Sequence, residues 1–381
     1  MLETLLQNTE LVRIIAPVLP EVFIILSTLI LLMVAVFIGD RSTNTISWIA
    51  CFILLVAMVI LADFGSFSAQ YGGAAIKINF FVIFIKVILL LTTIICLVLY
   101  SGHSKYNPEN NRLEYPILIL FSLVGMMFMI SANDFLMMYL GVELQSLCIY
   151  ILTSFNRDSV KSAEAGIKYF VMGALISGIM LFGISLIYGF IGSIYFDSIS
   201  YSFIDGGLRD MPQNYGALFG LILVLVAIYF KISAAPFHMW APDVYEGSPT
   251  PVSLFIASAP KIAALVLLFR ILSEPFLEFH QYWQQIVVVV AVLSLLVGAL
   301  GAIMQNNIKR LLAYSAINHI GFMLIGLLVF NNEGLMSFLL YSILYLTMAL
   351  GAFAFILVTK QCHQSADSAD KKSLENLTSF A

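Results

Sequence analysis

Charge is what this sequence has least of. Only 10% of its 381 residues are Asp, Glu, Lys or Arg, against 61% hydrophobic residues, and the formal net charge is -4. A water-soluble domain carries about 25% charged and about 45–50% apolar residues, so a soluble fold of this length would lack polar surface to cover itself. No basic stripe is present, which removes the electrostatic footprint of nucleic-acid binding. Cysteine is scarce too: Cys51, Cys96, Cys148 and Cys362 form no CxxC pair, and three of them lie in apolar runs. There Cys behaves as a small hydrophobe, so neither a disulfide framework nor a zinc site is expected. The histidines at 103, 238, 280, 319 and 363 show no metal-ligand spacing, and no GxGxxG or GxxxxGK[ST] phosphate loop occurs. A basic leader is also missing, since Glu3 and Glu10 stand against Arg13, so the N-terminus does not read as a cleaved signal.

What the sequence has is long apolar runs. Crossing about 30 Å of hydrocarbon takes about 20 mostly apolar residues. Eleven runs qualify: 18–38, 46–63, 79–100, 115–131, 134–154, 164–190, 216–238, 251–272, 284–304, 309–330 and 334–359. They predict an all-α, polytopic transmembrane helix bundle; the strict alternation of a closed β-barrel is absent. Turn residues such as Asn107-Pro108, Gly206-Gly207 and Asn331-Asn332 punctuate the joints. Loop lysines and arginines set the orientation. Arg13, Lys77, Arg209 and Arg270 fall on the N-terminal side, and ten others, among them Arg157, Lys161, Lys309, Arg310 and Lys360, on the opposite side. The N-terminus is therefore expected outside and the tail after Lys360 in the cytoplasm, or in the matrix if this is an organelle protein.

Four lysines remain inside the spans: Lys86, Lys168, Lys231 and Lys261, with Glu143 as an acidic counterpart in span 5. A charge at the bilayer centre costs about 2.5–3.5 kcal/mol on insertion scales, which makes each a functional suspect. Lys86 is near a span end and is expected to snorkel as an anchor. Lys168 reads equally as an anchor or as a proton inlet. Lys231 and Lys261 are deeper, and each is beside a proline. Pro236 cannot donate to the Ile232 carbonyl, nor Pro260 to that of Ile256, so both helices are expected to break beside a lysine. In hydrocarbon such breaks are tolerated where they line a polar cavity; kinks that only help packing are the plain alternative. If Glu143 meets Lys231, opening and closing that pair would make a proton relay. His319 either extends the track or bonds a neighbour such as Ser315. Asp63 and Asp134 are expected to be solvated at span ends, and Gly216–Gly220 to mark close helix packing.

The stretch Phe230-Lys231-Ile232-Ser233-Ala234-Ala235-Pro236-Phe237-His238-Met239-Trp240-Ala241-Pro242, followed by Asp243-Val244-Tyr245-Glu246-Gly247-Ser248-Pro249-Thr250-Pro251-Val252, resembles the broken helix 7 of the antiporter-like subunits of respiratory complex I. With Ala259-Pro260-Lys261-Ile262-Ala263 it is most similar to the subunit N branch. Met138–Leu144 in span 5 and Asn307–Ser315 at span 10 agree with it. The resemblance implies a proton-translocating subunit of NADH-quinone oxidoreductase, coupled to quinone reduction. It implies that Glu143, Lys168, Lys231, His238 and Lys261 form the relay, and that NADH, FMN, iron–sulfur clusters and quinone belong to partner subunits, with no cofactor in this chain. Other membrane subunits, the bilayer and protons are the implied partners, and no nucleic acid. The family has about fourteen helices built on two inverted five-helix repeats. By that plan residues 1–114 hold helices 1–3, 115–272 a complete first repeat, 273–359 a partial second repeat, and 360–381 a polar tail. The missing outlet half leaves one rival expectation, a truncated non-pumping remnant, and the shared Lys…Pro…His helix leaves another, a subunit of a multi-subunit cation/proton antiporter.

Overall fold

The computed structural model describes residues 18–38, 43–65, 72–73, 75–104, 112–204 and 213–378. Among the described residues, eleven helical segments are long and apolar enough to cross a membrane, from Leu19–Phe37 to Glu333–Thr359. Each coincides with one run read from the sequence. The elements are α1 (Leu19–Ile38), α2 (Thr43–Gly65), a small antiparallel ribbon of β1 (Gly72–Gly73) and β2 (Ile76–Lys77), α3 (Phe80–Ser104), α4 (Glu114–Ser131), α5 (Phe135–Thr153) and α6 (Val160–Ile191). Then come α7 (Phe196–Ile204), α8 (Gln213–Ile232), α9 (Trp240–Gly247), α10 (Thr250–Ala257), α11 (Ala259–Ser273), α12 (His280–Ile303), α13 (Ile308–Val329) and α14 (Asn332–Thr378). Helices dominate because hydrocarbon offers backbone groups no partner outside their own segment.

The interior is built around α10 and α11. Every residue from Thr250 to Ser273 is buried except Phe269 and Ser273, which are half-buried. The outer helices instead present large apolar side chains outward, Phe37, Phe80 and Ile303 among them. Such a surface suits hydrocarbon and would aggregate in water. Close helix contacts rest on glycine: a Cβ on Gly220 of α8 would lie 2.7 Å from the Gly183 carbonyl of α6, and one on Gly183 would lie 2.7 Å from that of Gly220. The Gly216–Gly220 pattern is thus a packing device, as expected.

Three side chains depart from expectation. Lys86 does not snorkel; it is fully buried and ion-paired with Glu21 of α1, itself 1% exposed. Asp134 is not solvated but buried, where it caps α5 by accepting from the Met137 N–H at 2.6 Å. Arg270, counted as a loop cation, is buried: its guanidinium donates to the Ile130 and Ala132 carbonyls at the end of α4 and pairs with Glu274 at 2.9 Å. A cation there complements the negative end of the helix dipole. The side chain of Asp63 lies outside the described residues.

Nearby, α7 is a short surface helix. Phe196, Ile199 and Phe203 form its buried stripe, and Asp197 reaches Lys77 at 3.3 Å and Asn133 at 3.0 Å. Burial pushes the Asp197 carboxyl up, but the Asn133 hydrogen bond and the Lys77 ammonium outweigh it and hold it below its ordinary range.

Candidate proton-relay site

The helix that carries Lys231 stops at Ile232, short of the expected 238, and the residue that stops it is Ser233 rather than Pro236. Ser233 takes a left-handed φ of 62°. Its N–H donates to the Phe230 carbonyl at 3.0 Å, and the Ala234 N–H donates to Tyr229 at 2.9 Å, the hydrogen-bond pair of a Schellman stop. Pro236 follows within the irregular stretch before α9. Protein groups cover the exposed backbone: Trp240 Nε1 donates to the Phe230 carbonyl at 2.8 Å, Ser233 Oγ to Ile232 at 2.5 Å, and the Ala235 N–H to Ser294 Oγ of α12 at 2.9 Å. Lys231 therefore occupies the last turn of α8, where the helix dipole favours a cation.

Lys231 Nζ donates to Ser146 Oγ at 2.5 Å and to Tyr150 Oη at 3.2 Å, both on α5. Glu143, one turn earlier on α5, accepts from Ser177 Oγ of α6. No ion pair within 4.0 Å joins Glu143 to Lys231, so in this structure the expected pair is apart. Lys231 also borders a cavity of about 10 Å³, walled by Gln145, Met180, Ile228, Ala264 and Leu267. That volume is on the order of what one water requires.

The second break is at Ser258, between α10 and α11, with Pro260 in the first turn of α11. Ser258 Oγ donates to the Leu254 carbonyl at 2.8 Å, and Tyr345 Oη donates to Ala257 at 3.2 Å. Lys261 follows at once, 1% exposed, and its Nζ has no partner in the protein. It is 5.3 Å from the centroid of the Tyr245 ring. Tyr245 Oη, Tyr229 Oη and His238 Nδ1 are likewise buried without a partner. Each such group costs about 1–3 kcal/mol unless water satisfies it, so these orphans mark where water belongs. His319 bonds Tyr341 Oη at 2.8 Å rather than Ser315.

Lys168 lies at the edge of the bundle, paired with Glu164 at 2.7 Å and Asp243 at 2.9 Å. Asp243 also holds Arg310 at 3.2 Å, and Glu246 holds Arg310 at 3.1 Å and Lys161 at 3.7 Å. The acids of the Asp-Val-Tyr-Glu-Gly run thus clasp cations of α6 and α13, while Tyr245 between them turns inward to Lys261. Lys231 and Lys261 each stand at a helix break, and Lys231 shares its cavity with Ala264, three residues on from Lys261; Lys168 is bound instead to its carboxylates. Ser146, Tyr150 and Ser177 were not anticipated. The signal for the first two was the face of α5 on which Glu143, Ser146 and Tyr150 share i, i+3, i+7 spacing. Among the described residues no group of three or more His, Cys, Asp or Glu is placed to hold a metal ion.

A family profile described as NADH:quinone oxidoreductase/Mrp antiporter, transmembrane, matches residues 132–380. The chain is 44% identical over 354 residues to NADH-quinone oxidoreductase subunit N of Paramagnetospirillum magneticum, covering 93% of this chain and 72% of that protein. It is also 44% identical over 343 residues to subunit N 1 of Rhizobium meliloti, covering 90% and 70%. The chain belongs to the subunit N family of NADH-quinone oxidoreductases. Among solved structures it is similar to a chain of respiratory complex I from Thermus thermophilus with bound aureothin, with a TM-score of 0.71 and 28% identity over 89% of this chain and 70% of that one. A chain of the Mrp complex from Dietzia sp. overlays with a TM-score of 0.78 at 22% identity, over 91% and 65%. That second likeness shows the shared fold alone; the sequence identity is what separates the subunit N family from the antiporters.

Proposed function

We propose that this chain translocates protons as a membrane subunit of an NADH-quinone oxidoreductase, with Glu143, Lys168, Lys231, His238 and Lys261 as its relay. The observation that carries the reading is Lys261, buried without a counterion beside a helix break and against Tyr245, whose hydroxyl is likewise buried without a partner. A lysine with no fixed partner exchanges its proton with water, whereas a locked ion pair does not. Lys231 gives the relay a second station at the other break, and the small cavity it borders has room for about one water. Lys168, in its half-exposed carboxylate clasp, is the inlet group. Helices α4 to α11 correspond to the complete repeat, and α12 to α14 to part of a second. The orientation that follows puts Lys168 and its carboxylates on the cytoplasmic side and α7 on the opposite face. Electron transfer from NADH to quinone is the part of partner subunits.

In the assembled complex reconstituted into vesicles, Lys231→Ala and Glu143→Ala are each expected to remove most NADH-driven proton uptake, read with a pH-sensitive dye. Full proton uptake in assembled Lys231→Ala complexes rules the relay out.

A further inference from the structure

Ser146, Tyr150, Ser177 and Gly173 have no part in the relay described so far, yet together they surround its two charges. Lys231 rests on two hydroxyls of α5, Ser146 at 2.5 Å and Tyr150 at 3.2 Å, and Glu143 rests on a hydroxyl of α6, Ser177. The Tyr150 hydroxyl occupies the space in which a Cβ on Gly173 would stand. Gly173 and Ser177 are one turn apart on α6, and Glu143, Ser146 and Tyr150 lie along one face of α5. Two helices thus present two separate docking points: one that takes the ammonium and one that takes the carboxylate. Tyr150 is further fixed by an edge contact to Tyr169 at 4.8 Å, and Tyr169 stacks on Trp240 at 4.4 Å, at the start of α9.

We propose that Ser146 and Tyr150, with Gly173 as the socket for the Tyr150 hydroxyl, are positioning residues that hold Lys231 away from Glu143, while Ser177 holds Glu143. The unpaired arrangement is then a built state with its own partners rather than a broken ion pair. Charged groups separated in a low dielectric attract strongly, so the separated state persists only if each charge keeps hydrogen bonds of its own. Hydrogen bonds to charged groups are strong enough that losing one shifts a two-position equilibrium about tenfold or more. Removing the hydroxyls lets Lys231 swing along the α5 face to Glu143 and stay there.

The inference rests on the relay reading, and its test separates the two. In the complete complex, Tyr150→Phe and Ser146→Ala are each expected to slow NADH-driven proton uptake about threefold, and the pair about tenfold. Ser146→Thr, which restores a hydroxyl, recovers most of the loss. Gly173→Ala, which evicts the Tyr150 hydroxyl, behaves like Tyr150→Phe. A cryo-electron microscopy structure of the Tyr150→Phe complex should show Lys231 Nζ within ion-pair distance of Glu143. The proposal is overturned if Lys231 stays apart from Glu143 in that structure, or if Ser146→Thr and Ser146→Ala lose proton uptake equally. Undiminished uptake in Tyr150→Phe also overturns it. If Lys231→Ala abolishes uptake while these hydroxyl variants do nothing, the relay stands and the positioning role falls.

Discussion

Lys86 and Glu21 are a buried ion pair, and their chemistry is that of a tie between α1 and α3. Both are almost wholly inaccessible, at 0% and 1%. Removing one partner strands the other charge in an apolar interior, which costs about 3–5 kcal/mol, whereas replacing both with apolar groups costs far less. Lys86→Met or Glu21→Leu alone is therefore expected to lower the thermal stability of the complex markedly, and the double replacement to recover most of it. Calorimetry on the detergent-solubilised complex measures both. At Glu143 the retained charge matters more than shape, so Glu143→Asp should keep more proton uptake than Glu143→Gln; the reverse order in the same vesicle assay counts against a charge role. Lysines within the spans were legible because charge is rare in apolar sequence. Their partners were not. Lys86 reads as an anchor until Glu21, 65 positions away in another helix, is found against it. Lys231 suggests a carboxylate, yet its partners here are a serine and a tyrosine, types common enough in membrane helices to attract no notice.

Between the helices, short elements set the geometry. Both breaks could be foreseen because proline has no N–H to continue a helix. Their positions could not: Ser233, a serine in the left-handed region, ends α8, and nothing in its side chain announces a φ of 62°. Ser258 similarly separates α10 from α11 while bonding back to Leu254 and Phe255. The stop at Ser233 shortens the span of Lys231 by six residues and moves the lysine from mid-helix to a helix end. Helix α7 was absent from the span count because nine residues cannot cross a bilayer, but its aromatic stripe packs on Phe135, Phe276 and Phe279. Asp197 titrates below its ordinary value, so its contribution to holding α7 is present above about pH 4 and is lost as pH falls through the lowered folded value. Protection of the α7 amides, as exchange relative to the intrinsic rate at each pH, is expected to be flat from neutral to mildly acidic pH and to fall only below that range.

Across the whole molecule, composition alone decided that the fold is a membrane bundle, and the eleven runs decided its span count. What composition could not convey is how the two ends are built. One end gathers Lys77, Asp197, Arg270 and Glu274; the other gathers Lys161, Glu164, Lys168, Asp243, Glu246 and Arg310. The excess of loop cations at the second end predicts that it faces the cytoplasm. In a background without the native cysteines, Asp158→Cys should react with a membrane-impermeant maleimide only from the cytoplasmic side. Tyr201→Cys should react only from the other; the opposite pattern inverts the topology.

Helix α9 joins those surface charges to the interior. It has eight residues, about 12 Å of rod at 1.5 Å per residue. Asp243 and Tyr245 are two positions apart, about 200° around its axis. One edge grips Lys168 and Arg310 at the rim, and the other edge lies against Lys261. A roll of this rod would therefore move Asp243 at the rim and Tyr245 over the buried lysine together. Rim charge and interior lysine meet one short lever from opposite sides.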